Sequence, residues 1–160
     1  MVARDQGEDV PATEVRVACD VGTVRIGMAR CDPDAVLATA LPAILAGPDS
    51  LVQVVAVAAE LGAVEIVVGL PLRLNGSRGP AAEQAASWAA ALEGALSAAG
   101  LSTPVRLLDE RLTTVQAQRG LHAAGRNTRT SRQRIDSAAA VVLLQGYLDQ
   151  RARRRTGGTP

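Results

Sequence analysis

At 160 residues with a formal charge of +1, the chain has the length of one domain that can bury a core without disulfide or metal staples. Two cysteines, Cys19 and Cys31, fit neither a metal-site spacing nor a disulfide framework, and no run is apolar for long enough to cross a bilayer, so a stapled secreted scaffold and a membrane span are excluded and a cytoplasmic protein is expected. The small net charge hides an asymmetry, because every basic residue is Arg and two segments, Arg126 to Arg134 and Arg151 to Arg155, hold eight of them; planar guanidinium forks suit a polyanion.

Val15, Val17 and Cys19 alternate with Arg16, Ala18 and Asp20, the period of a half-buried strand. The next apolar run, Val24, Ile26 and Met28, follows too soon for a helical crossover, which predicts an antiparallel hairpin. Ala35 to Leu45, with Pro42 inside it, suits a third strand at the sheet edge, where a missing amide donor is tolerated. Gly47 to Ser50 supply a helix start, Leu51 to Leu61 an apolar helix of about three turns, and Gly62 a stop. VEIVVG, residues 64 to 69, reads as a buried strand, Pro80 to Ala99 as an Ala-rich helix ended by Gly100, and Pro104 to Asp109 as a fifth strand. Thr113 to Ala124 and Ile135 to Leu148 are the remaining expected helices. A helix between two buried strands implies a right-handed crossover and parallel pairing, so the sheet is expected to be antiparallel on one side and parallel on the other.

In such sheets ligands gather at the carboxyl ends of the parallel strands. That rule brings Asp20, the loop after Gly69 and the pair Asp109 and Glu110 to one edge, with Asp136 entering the last helix beside them. Each acid has an ordinary reading: Asp20 starts a turn, Asp109 and Glu110 close a strand before capping Thr residues, and Asp136 favours a helix dipole. Three convergent carboxylates, however, repel unless cations compensate, and hard ions such as Mg²⁺ or Mn²⁺ take oxygen ligands of this kind. Two such ions about 4 Å apart can activate water and stabilise the leaving oxygen of a phosphodiester.

These residues carry a resemblance. DVGTVRIG, VVGLPLRLNGSRGP, DERLTT and DSAAAVVLL are, in that order, similar to the four motifs of the YqgF/RuvX family of RNase H-like nucleases, and the likeness spans Val15 to Leu148. It implies an RNase H-like fold in residues 14–150 and a metal-dependent endonuclease with a two-metal Mg²⁺ or Mn²⁺ site held by Asp20, Glu110 and Asp136. Asp109 is left open as a helper. The family is connected with 5′-end maturation of pre-16S rRNA and with Holliday junction resolution, so structured RNA or branched DNA is the implied partner. The expected backbone contacts are Arg73, Asn75, Ser77 and Arg78 in the glycine-rich loop, Arg111, and Arg126, Arg129, Arg132 and Arg134 in an Arg-rich loop before the third acid. The loop ends at a helix start with Pro in its first turn, which suits phosphate binding.

Residues 1–13 and 151–160 are expected to be disordered tails, the second Arg-rich, with Arg151 to Arg155 either a helical extension or part of that tail. His122 reads as a surface helix residue, and Trp88 and Tyr147, the two aromatics, as packing residues, which leaves no stacking platform for single strands. If Cys31 is exposed, a disulfide-linked homodimer is conceivable. Two other function classes stay open: an actin-like phosphotransferase, which needs a second lobe that 160 residues do not supply, and a non-catalytic nucleic-acid or ribosome-assembly adaptor with the same fold.

Overall fold

The computed structural model of the chain describes residues 13–112 and 129–157, with side chains of the last helix described from residue 137 onward. Five strands, β1 (Arg16–Val21), β2 (Arg25–Cys31), β3 (Ala38–Leu45), β4 (Glu65–Leu70) and β5 (Val105–Asp109), form one sheet in the order β3-β2-β1-β4-β5. The three strands from β3 to β1 are antiparallel, and β1, β4 and β5 are parallel. Helices α1 (Ser50–Leu61) and α2 (Pro80–Ala98) join β3 to β4 and β4 to β5, and α3 (Arg129–Thr156) follows β5 and a short 3₁₀ turn at Glu110–Leu112. The mixed sheet and the three-strand meander are those expected from the sequence.

Strand alternation divides the core in two. Val17, Cys19, Ile26, Met28, Ile66 and Val68 face α1 and α2, where they meet Val54, Ala58, Ala89, Leu92 and Leu96. Ala18, Ala29, Val67 and Leu108 face α3, where they meet Ala139, Ala140, Leu143, Leu144, Tyr147 and Leu148. Those α3 residues recur at three- and four-residue steps, the spacing that keeps one helical stripe on the sheet. Trp88 bridges the two outer helices, its indole N–H donating to Ser50 Oγ at 3.2 Å.

Pro42 sits where β2 and β3 slip register: Ile26 pairs with Ile44 and Met28 with Leu41, so Pro42 and Ala43 together oppose Gly27. A bulge on an edge strand is a position where a residue without an N–H costs no ladder hydrogen bond.

On the α3 face, from one end of the sheet to the other, β1 presents Arg16, Ala18 and Asp20, β4 Glu65, Val67 and Gly69, and β5 Arg106 and Leu108 with Glu110 just beyond; Arg16 is level with Glu65 and Ala18 with Val67, while Arg106 is level with Val67 and Leu108 with Gly69. At the first end Arg16 Nε donates to Glu65 Oε1 at 3.1 Å, Arg106 Nε to Glu65 Oε2 at 3.1 Å, and the Tyr147 hydroxyl to Glu65 Oε1 at 2.6 Å. Arg16 and Glu65 are both buried. Burial alone would raise the Glu65 pKa, but hydrogen bonds from Tyr147, Arg106 and Arg16 outweigh it and hold the carboxyl below its ordinary range.

Three expectations change. Helix α3 begins at Arg129, so the second half of the Arg-rich stretch before Asp136 is helical backbone and not loop. The same helix runs on to Thr156, making Arg151 to Arg155 a helical extension where a disordered tail from residue 151 was the other expectation. Cys31 is buried, its Sγ accepting from Arg16 N at 3.1 Å and donating to the Glu14 carbonyl at 3.4 Å, which removes the exposed thiol that an interchain disulfide needs. The expected helix over Thr113 to Ala124, with His122, and the N-terminal tail lie outside the described residues.

Candidate active site at the carboxyl edge of the sheet

Asp20 is the penultimate residue of the central strand, half-buried, with glycine on both flanking strands. Across β2 its partner is Gly27. Across β4 the parallel register pairs Cys19 with Val68, and one more step sets Asp20 beside Gly69. The absence of side chains at both neighbours leaves a trough beside the carboxylate on the α3 face.

Glu110 enters that trough from the far side. Its side chain is fully buried, and a Cβ added to Gly69 would stand 2.5 Å from Glu110 Oε1 and 3.2 Å from Leu143 Cδ2. Only glycine allows this carboxylate to lie so close to the β4 backbone. Among the described residues, every buried side-chain polar atom has a hydrogen-bond partner. The structure therefore brings two of the three expected acids to one point of the sheet edge.

The third, Asp136, has its backbone in α3, three residues before Ala139, four before Ala140 and seven before Leu143. Those spacings put its position on the helical stripe that meets the sheet. Ser137, the next residue, pins this end of the helix: its Oγ accepts from Met28 N at 3.3 Å and donates to the Leu41 carbonyl at 2.7 Å, inside the β2–β3 bulge. The side chains of Asp136, Arg129, Arg132 and Arg134, and all of Arg126, lie outside the described residues.

Asp109 points to other work. Arg111 grips it with Nε to Oδ1 at 3.0 Å and Nη2 to Oδ2 at 2.7 Å, and the Arg111 amide donates to Oδ1 at 2.9 Å. The Arg111 guanidinium beside it holds the Asp109 carboxyl below the usual carboxylate range. The same guanidinium donates from Nη1 to the Leu74 carbonyl at 3.2 Å, tying the strand exit to the glycine-rich loop. Gly76, at φ +87°, lies against that guanidinium, in a backbone region that side chains rarely adopt.

Within the loop, Asn75 Oδ1 accepts from Ser77 N at 2.9 Å and from Ser77 Oγ at 2.7 Å, while Arg73 Nη1 donates to Ser77 Oγ at 3.4 Å. Asn75 and Ser77 thus shape the turn, and the exposed Arg73 and Arg78 are the basic groups it presents to solvent. The loop delivers the chain to Gly79 and Pro80, the start of the 19-residue α2, whose first amides point outward as helix starts do.

A family model described as "RuvX: Holliday junction resolvase" matches residues 14–150. The chain belongs to the RuvX family. Two relatives carry the name "Putative pre-16S rRNA nuclease": one from Rhodococcus erythropolis is 45% identical over 164 aligned positions, covering 96% of this chain and 90% of its own length. The other, from Kineococcus radiotolerans, is 48% identical over 149 positions, covering 91% and 76%. Among solved structures, "T. thermophilus RuvC in complex with Holliday junction substrate" superposes with a TM-score of 0.52 at 15% identity, covering 86% of this chain and 96% of that one. That likeness establishes the fold, which is RNase H-like. RuvX family membership makes the chain a nuclease or resolvase type, a hydrolase that acts on nucleic acid.

The donor set of this RuvX chain fits a hard divalent cation: the carboxylate oxygens of Asp20 on β1 and of Glu110 just past β5, on either side of Gly69 of β4. Among the described residues no group of three His, Cys, Asp or Glu side chains could hold a metal, since two acids meet here and the Asp136 side chain is not among them.

Proposed function

We propose that this chain is a divalent-metal-dependent endonuclease that hydrolyses phosphodiester bonds in structured nucleic acid, with Asp20, Glu110 and Asp136 as its metal-holding acids. The observation behind the reading is the fully buried Glu110 carboxylate laid over Gly69, one register step from Asp20, in a RuvX chain. Bound in pairs, Mg²⁺ or Mn²⁺ supplies an activated water and neutralises the leaving oxygen. The protein's own part is positional. Burial and the Gly69 backbone fix Glu110, the β1 ladder fixes Asp20, and Ser137 fixes the turn of α3 that bears Asp136. Arg111 keeps Asp109 occupied, so that a fourth carboxylate does not swing into the trough. Arg73, Arg78 and the α2 amides are the proposed backbone contacts on one side, and Arg126, Arg129, Arg132 and Arg134 on the other.

The proposed substrate is the precursor of 16S rRNA, cut toward its 5′ end in the cytoplasm, where buried thiols such as Cys19 and Cys31 stay reduced. The names borne by relatives at 45% and 48% identity support it. Four-way junction DNA is the second reading, supported by the family description. Both substrates belong in one assay, with Mg²⁺ or Mn²⁺, with EDTA, and with Asp20→Asn. The expected result is metal-dependent cutting, faster on the RNA precursor, that EDTA stops and Asp20→Asn abolishes while binding persists. Full cutting by Asp20→Asn refutes the site, and no cutting of either substrate by the wild-type chain favours a non-catalytic adaptor.

A further inference from the structure

The amino ends of the parallel strands hold a second basic site, away from the acids. A concave pocket of about 230 Å³ is lined by Arg106 of β5 and by Tyr147, Arg151, Arg154 and Arg155 of α3. Among the described residues, four guanidinium groups and no carboxylate line it. Glu65, just beneath, has its oxygens taken by Arg16, Arg106 and Tyr147, and Arg155 reaches Glu14 only at 3.4 Å with its side chain two-thirds exposed. Arg151 lies over the Tyr147 ring, 6.0 Å from its centroid, which orients its fork. An arginine run at a helix end is commonly explained by the helix dipole. That accounts for Arg153 to Arg155, but not for Arg106 arriving from a strand to complete a concavity.

The pocket and the acids share one face of the sheet. Arg106, Leu108 and Glu110 alternate along β5, the edge strand, so the pocket lies about 13 Å from Glu110 at some 3.3 Å per residue. Along α3, Tyr147 stands eleven residues from Asp136, or about 16 Å at 1.5 Å per residue. With about 3.4 Å of helix axis per phosphate in each strand, a substrate seated at the acids reaches the pocket some four to five nucleotides away. Guanidinium forks of this kind hold phosphate bidentately.

We infer that the pocket formed by Arg106, Arg151, Arg154 and Arg155 around Tyr147 binds a backbone phosphate of the nucleic acid several nucleotides from the bond that is cut. The inference rests on the reading of the chain as a nuclease of structured nucleic acid, and its test does not need cleavage. Binding of a labelled RNA hairpin and of a labelled four-way DNA junction is measured across a salt series in EDTA, in the Asp20→Asn background. The variants are the triple Arg151→Gln, Arg154→Gln, Arg155→Gln, the matching triple to Lys, and the single exposed-site change Arg154→Glu. The Gln triple should lower the log–log salt slope by about 1, the loss of one phosphate contact, the Lys triple should retain most of it, and Arg154→Glu should lower it by a similar amount.

Unchanged slopes in both the Gln triple and Arg154→Glu overturn the inference, whatever the wild-type chain cleaves. A lowered slope in a chain that cuts nothing upholds it and defeats the nuclease reading alone. Should the Gln triple fail to fold by circular dichroism, Arg154→Glu decides. A small-anion arm separates the sources: if inorganic phosphate raises the wild-type melting temperature and not that of Arg154→Glu, while nucleic-acid slopes stay equal, the pocket serves a free phosphate and the backbone assignment is wrong.

Discussion

Gly69→Ala separates positioning from folding at the acid cluster. The new Cβ would stand 2.5 Å from Glu110 Oε1, 3.3 Å from its Cδ and 3.2 Å from Leu143 Cδ2, where ordinary contact begins near 3.4 Å. The Glu110 oxygen must therefore retreat by about 0.9 Å. A side-chain end can often swing aside at little cost, but this one is fully buried, so the retreat is shared with Leu143 and the α3 stripe. Overpacking of this size costs about 1–3 kcal/mol, and for a domain of this length each kcal/mol lowers Tm by about 2–4 °C. A misplacement of about 1 Å in a reacting constellation costs on the order of 10²-fold in rate. The expected result is a folded chain, a few degrees less stable, with cleavage reduced about 100-fold and nucleic-acid affinity nearly unchanged. Calorimetry and single-turnover cleavage give the two numbers side by side. Wild-type cleavage by Gly69→Ala would show that the Glu110 carboxylate need not hold this position, and the site as drawn would fall.

Glu65→Gln leaves the buried Arg16 without its charge partner and should cost about 3–5 kcal/mol. Because the Glu65 pKa is lowered on folding, its contribution is complete above the ordinary carboxylate value of 4.5 and fades as pH falls through the lower folded value. The stability gap between wild type and variant should thus close in acid, and a gap independent of pH would contradict this. Ser137→Ala removes the acceptor of Met28 N and the donor to Leu41 O, an expected loss of about 1–3 kcal/mol, with cleavage falling further than stability because Asp136 is adjacent; equal Tm values would exclude the pin. Burial, and then the Asp20 charge, pushes the Cys19 thiol up to about 12, and Cys31 is likewise raised by burial. The native chain should resist thiol reagents at neutral pH and migrate alike with and without reductant; rapid labelling or a reducible dimer would mean that these strands open.

What the sequence reveals here is what depends on short spacing. Alternation in VRVACD set Asp20 at a strand end, and Gly62, Pro80 and Gly100 marked helix limits that fall within a residue or two of those found. The candidate acids drew notice because Asp20 and Glu110 sit at strand ends and Asp136 at the start of the apolar periodicity of α3. The supports around them were not, since their partners are distant in the chain. Glu65 meets residues 49, 41 and 82 positions away, and within VEIVVG it looked like an ordinary strand opening; a charge inside an otherwise apolar buried run was the available signal. Gly69 and Gly27 gained their meaning only from Glu110 and Asp20. The ends of α3 were misread for a related reason. Apolar periodicity begins at Ile135, and most helical stability comes from packing an amphipathic face, so the polar turns on both sides extend a helix that their own residues do not announce.

The α3 register is fixed twice, and this bears on how the third acid is held. Ser137 is bonded to the β2–β3 bulge at one end of the sheet, and Tyr147 to Glu65 at the other. Those anchors are ten residues apart, about 15 Å along the helix. Between them Ala139, Ala140, Leu143 and Leu144 lie on the small residues Ala18 and Ala29 and on Val67, which brings the helix close to the sheet. A slip of one residue would turn the helix by about 100°, breaking both anchors and taking the Asp136 position off the stripe. The ion network remote from the acids thus bears on the proposed site: through the helix it sets the backbone position of Asp136, which it does not touch. The same helix carries Arg151 one turn, and Arg154 and Arg155 two turns, past the second anchor. One helix therefore spaces the proposed acid site from the proposed phosphate pocket, and on that reading the span of nucleic acid between them is set by the length of a helix and not by the play of a loop.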